Sequence, residues 1–270
     1  MKPTPLLLAL FVCFFACKSP DKKSAGAAAQ KPANSAGAAD TLGGRSKSSD
    51  VTFFTQGEDL VIPPYGLEKI QSMRMKVMHV PDTNGGDTFA DSLDKMAYDS
   101  LTLREKFTYN VIHPESWSQN CNILPIQTDQ ATRIYGALPD VYGEMNWSDR
   151  QLAFFKDNRD SVHAWIKELT EKNGRVGANF RAVIVETNAT EMIPFLAEAA
   201  RKETNHHCNL TTLILLMEKN KYPEYMNSSS YKKLAENTSY DHPPFLVYNK
   251  ANEDLIIQRA TNFYNGLAAK

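Results

Sequence analysis

Apolar residues in this chain recur mostly at intervals of three and four, the spacing that turns one face of a helix toward a core. The clearest stretch opens at Trp147. Ser148 followed by Gln151 is a capping-box pattern, Leu152, Phe155, Val162, Ile166 and Leu169 line one stripe, and Asn173-Gly174 is a stop. The stripe is interrupted at Asn158-Arg159, which points to a buried ion pair or a wet patch, and Lys156 falls on the opposite, solvent face. Leu210, Leu213, Ile214 and Met217 predict an apolar helix central in the core. Pro223 can open another at a permitted first position, and a last helix runs from about Asn252 through Leu255, Ile256, Phe263 and Leu267.

Other segments are less regular. Leu67, Ile70, Met73 and Val77 predict a helix within 66–79, although MRMKV also alternates as a strand would. Phe89, Leu93, Met96, Ala97 and Leu101 mark a helix that breaks at Ser100 or Thr102. Leu103, Phe107 and Val111 continue in a second, ending at His113-Pro114. Residues 114–127 and 139–146 read as loops, with a short helix between them from Asp129 through Ile134 and Leu138. Phe180 to Glu186 has a strand's composition in a helical context, and Asn188 or Thr190 caps the helix that follows, with Pro194 in its first turn. Val51 to Tyr65 carries short β-rich runs ended by Pro63-Pro64, so an extended arm is expected near 51–62. The fold class is therefore mainly α: an irregular helical bundle or an αα-hairpin stack, with no repeat period to name a solenoid family.

The N-terminus follows other rules. Lys2 precedes eleven residues without a charge or a glycine, Leu6 to Ala16. A span of a roughly 30 Å hydrocarbon core needs about 20 helical residues, so this is a secretory signal segment, 1–16. Ala16-Cys17 then resembles the lipobox of bacterial lipoprotein precursors, in which a small residue precedes the cysteine that is diacylated and becomes the new N-terminus. Phe14 and Phe15 depart from the family pattern. The resemblance covers about 17 residues. It implies a lipid anchor at Cys17, a bilayer as partner and a place in the cell envelope. Lys18 and Ser19 after the cysteine imply, by the family's sorting pattern, the outer membrane. Of the 33 residues from 18 to 50, 25 are Ala, Gly, Ser, Lys or Pro, too little apolar surface to offset ordering entropy. This is a tether with a root-mean-square span of roughly 30 Å. The folded domain is 51–270.

Composition narrows the function classes. The chain is 42% hydrophobic and 23% charged with a net charge of -1, which excludes a disordered chain and a multi-span membrane protein. The tether and Lys2 carry four net positive charges, leaving the domain near -5, with none of the basic excess that nucleic-acid binding needs.

Candidate chemistry is sparse. Beyond the signal and anchor only Cys121 and Cys208 remain, and in an oxidising envelope they could pair. His206-His207-Cys208 imitates a metal motif, but adjacent histidines diverge, so no metal and no cofactor is expected. The loop holding His113, Glu115 and Trp117 could line a ligand site, or simply be hydrogen-bonded and ordered. No nucleotide, zinc-protease, serine-hydrolase or CxxC motif occurs. The sequence thus favours an envelope-anchored binding or scaffold module. A hydrolase acting on glycan or peptide is the alternative.

Overall fold

The computed structural model describes residues 60–81, 88–119, 127–235 and 243–269, all within one compact unit, Lys47–Lys270. The signal segment, Cys17, the tether, most of the expected arm and Cys121 lie outside the described residues. Among the described residues are eleven α-helices and six short strands, so the protein is predominantly helical with a minor sheet. None of these helices is long and apolar enough to cross a membrane.

The first half mixes both kinds of element: α1 (Leu67–Arg74), β1 (Met78–Pro81), β2 (Thr88–Ser92), α2 (Lys95–Asp99), α3 (Leu103–Ile112), β3 (Ser116–Ser118), β4 (Arg133–Tyr135) and β5 (Met145–Asn146). Strands β1, β2, β3 and β5 form an antiparallel sheet in that order. Both readings of 66–79 hold in part, since a helix through Arg74 hands over to a strand from Met78. The expected helix across 89–101 is corrected: its start is β2, and only Lys95–Asp99 is helical. Phe89 and Leu93 fit a helical period, but Phe89 spends its ring on cross-strand partners, stacking on Trp117 at 4.9 Å. Thr102, not Ser100, caps α3, with its hydroxyl and Glu105 closing a reciprocal box.

The expected helix from Asp129 is likewise corrected. Asp129 has a positive φ of 55°, and Arg133–Tyr135 is β4. Its partner is β6 (Phe245–Val247), more than a hundred residues away, which no local pattern announces.

The second half is helical: α4 (Asp149–Asp157), α5 (Arg159–Asn173), α6 (Ala178–Glu186), α7 (Ile193–Lys202), α8 (Cys208–Lys219), α9 (Pro223–Met226), α10 (Ser229–Ala235) and α11 (Lys250–Ala268). The long helix expected from Ser148 is two helices broken at Asn158. There Arg159 pairs with Glu191 and donates to the carbonyls of Thr187 (2.7 Å) and Asn188 (2.9 Å). Gly174 ends α5 in the left-handed region, φ 71°. Residues 180–186 are helical, not a strand. A 3-10 turn, Thr190–Met192, leads into α7.

Helix α8 is the centre. Leu210, Leu213, Ile214 and Met217 are fully buried, as the spacing required, with α6, α7 and α11 packed on it. Because α7 and α11 also touch each other, these helices form a bundle, not a linear stack. The end of the arm is seated beside α6. The Asn179 amide donates to the Val61 carbonyl (2.9 Å) and accepts from its N–H (3.2 Å), completing a backbone-like pair. Gly177 permits this approach, since a Cβ there would lie 2.9 Å from that of Val61.

Candidate functional site

The residues singled out in the His113 loop are brought together, but into the protein. His113 is buried behind the sheet, its Nε2 2.8 Å from the Asp91 carbonyl oxygen, and burial and the Arg74 charge hold its pKa below 6.5. Glu115 is 1% exposed and saturated. It accepts from the Tyr109 hydroxyl (2.7 Å), the Ser148 hydroxyl (2.6 Å) and the Arg150 guanidinium, whose second nitrogen also reaches the Leu93 carbonyl. Gln151 ties in the backbone by accepting from the N–H groups of Glu115 and Ser148, both at 3.1 Å. Trp117 lies on the sheet, where Phe89 covers one ring face and Glu144 accepts its indole N–H at 2.9 Å. This network fixes α4 against α3 and the sheet.

A different place has the features of a ligand site. A cavity of about 560 Å³ opens between the end of α5 and the α7–α8 junction. Its walls include Thr170, Val176, Phe195, Ala199, Glu203, His206 and Asn209, with Glu171, Glu198 and Lys202 exposed at the rim. That volume falls in the range of about 300–1,000 Å³ usual for small-molecule sites.

The floor is built by the turn that enters α8. Glu203 ends α7 and bends back, its Oε2 accepting the Asn209 N–H at 3.0 Å, so that a carboxylate meets the positive end of α8. Its Oε1 is 2.9 Å from Nδ1 of His206 and 3.9 Å from the Arg181 guanidinium. Arg181 is 1% exposed and donates to the Val176 carbonyl at 2.7 Å. Contacts with Cys208 and Glu203 push the His206 pKa from 6.5 up to about 10, against the opposing effect of burial. His206 is therefore held in its charged form at neutral pH beside Glu203, and the Cys208 N–H also approaches its Nδ1 at 3.5 Å.

Two groups at the cavity lack partners. Asn209 is 3% exposed and its Oδ1 accepts nothing; Thr170 is 8% exposed and its hydroxyl makes no hydrogen bond. A buried polar atom without a partner costs about 1–3 kcal/mol; others among the described residues, His113 Nδ1, His163 Nε2 and the Tyr225 hydroxyl, line neither cavity. A second cavity, about 490 Å³, lies among Leu138, Trp147, Leu152, Val185 and Leu215, and none of the partnerless buried atoms belongs to it.

The histidine pair diverges as expected. His206 turns to Glu203, while Nε2 of His207 is 2.9 Å from the Ala131 carbonyl oxygen and its ring stacks on Tyr248. Cys208 is buried at the first residue of α8, and its expected partner Cys121 falls outside the described residues. Sequence reasoning named His206 only as a metal imitation and missed Arg181, Glu203 and Asn209. The one local signal was Glu203 three residues ahead of His206, before a helix start. Compared with models of protein families, with curated proteins and with solved structures, the chain matches none of them.

Proposed function

We propose that this protein is a lipoprotein of the bacterial cell envelope whose helical domain is a non-catalytic binding module, with the cavity at the α7–α8 junction as its ligand site. The observation that carries the binding role is the pair of buried, partnerless groups, Asn209 Oδ1 and Thr170 Oγ1, at a cavity whose charged floor is already internally paired. A hydrolase would need a free base or nucleophile. Here His206 is held protonated and Glu203 accepts hydrogen bonds on both oxygens, a pattern suited to holding charge in place. The envelope placement rests on the sequence: the Leu6–Ala16 apolar segment, Ala16-Cys17, and the 18–50 tether. Two acyl chains are enough for stable attachment to a bilayer.

Both halves can be tested. Replacing Cys17 by Ser should abolish palmitate labelling and move the protein to the soluble fraction or leave an uncleaved precursor. Wild-type behaviour of that variant would overturn the anchor. For the site, the purified chain is incubated with a small-molecule envelope extract and the retained compounds are identified by mass spectrometry. The wild type should retain compounds that Ala199→Trp, which fills the cavity, does not. Equal retention would remove the cavity as the site, and conversion of a retained compound would favour the hydrolase.

A further inference from the structure

Resting on the binding-module reading, we infer that the cavity at the α7–α8 junction takes an uncharged saccharide, held through its hydroxyl groups. The charges of the lining favour neither sign. Glu203 and His206 on the floor are paired at 2.9 Å, so the histidine charge has its counter-ion within the protein. The rim sets Glu171 and Glu198 against Arg175 and Lys202, all four exposed and two of each sign. Exposed charges are screened by water and salt, and a balanced set adds no net attraction. An ionic ligand would give up hydration there with no surplus charge to receive it.

What the cavity leaves unmet is neutral. Asn209 Oδ1 and Thr170 Oγ1 belong to side chains more than nine-tenths buried, and neither atom has a hydrogen bond. Oδ1 only accepts, so the ligand must bring it a donor, while the threonine hydroxyl can give or take. A sugar hydroxyl does both, and a ring carries several of them pointing in different directions, so one ring can serve both atoms. A peptide backbone offers one donor per residue, fixed in the plane of its amide. A hydrocarbon would leave both atoms unmet, at about 1–3 kcal/mol each. Carbon surface is present as well. Phe195 and Ala199, one turn apart on α7, line the same space with Val176. The half-buried Phe195 ring is a flat wall of the kind on which the C–H face of a pyranose can lie.

The test is calorimetric titration of the full chain with glucose, galactose, mannose, N-acetylglucosamine, maltose, cellobiose, lactose and chitobiose. Glucuronic acid, galacturonic acid and glucosamine are the charged counterparts, and an alanine tripeptide blocked at both ends is the neutral peptide. At least one neutral sugar should bind. The charged counterparts should bind no more tightly, and the affinity for the neutral sugar should not change with salt. Thr170→Val removes the hydroxyl, and Asn209→Leu removes the carboxamide at similar size. Each should weaken the sugar about tenfold, which is about 1.4 kcal/mol. The thermal midpoint of each should stay level or rise, because neither atom has a bond to lose. Unchanged binding by both variants overturns the inference, whatever their midpoints. Tighter binding of a charged counterpart, binding of the blocked tripeptide alone, or failure of every sugar overturns it too. If the extract experiment still shows retention that Ala199→Trp abolishes, the binding module survives and only the saccharide is lost.

Discussion

Glu115 and Glu203 are both buried carboxylates beside an arginine, and they serve opposite ends. Glu115 is closed on every side by Tyr109, Ser148 and Arg150, with Gln151 holding the nearby backbone. Glu203 is held by His206 and Asn209, but its surroundings face a cavity and include acceptors and donors with nothing to bond. A saturated buried network ties elements together. One with partnerless members keeps a cost that a ligand can relieve. In the loop that looked chemical in sequence, Glu115 belongs to the first kind, although His113 beside it keeps a buried Nδ1 without a partner.

The largest effect expected is from Glu115→Ala. Removing one member of a buried pair costs about 3–5 kcal/mol, and the low end applies here because Arg150 can turn partly to water. Urea denaturation measures it, and a loss well under that figure would mean the network is not what fixes α4. Ser148→Ala comes next. Its hydroxyl donates to the Glu115 carboxylate, so the expected cost is about 1.5–3 kcal/mol, above the roughly 1 kcal/mol of a simple cap.

The two regions should also respond to pH in opposite senses. His206 has a raised pKa, so its stabilisation is fully present below about pH 6.5 and is lost as pH rises through about 10. His113 has a lowered pKa through burial, so the unfolded chain takes up a proton first, and stability falls as pH drops below about 6.5. Denaturation midpoints across this range should show both limbs, and His206→Gln should flatten only the alkaline one. If the alkaline limb persists unchanged, the His206–Glu203 pair is not ionic. The smallest effect is Asn209→Ala, under about 1 kcal/mol, because its Oδ1 has no bond to lose. A cost comparable to Glu115→Ala would place Asn209 in the closed class.

The sequence by itself determined the helical class, the position and phase of α8, the helix starts at Ser148 and Pro223, and the stop at Gly174. Each of these is local: an apolar period, a cap, a residue free to take positive φ. The tertiary structure decided what depends on distant partners. Phe89 is in a strand because Trp117 and His79 stack beside it, and Ile134 is in a strand because β6 lies alongside. The interruption at Asn158-Arg159 was visible, but its cause, Glu191 and the 187–188 carbonyls, was not. The candidate site was least legible of all. Its floor joins Glu203, His206 and Asn209 from a turn and a helix, with Arg181 buried behind Glu203, and its mark is the absence of partners around Asn209 and Thr170. A hydrogen bond that is not made has no spacing, so only the packed fold could reveal it.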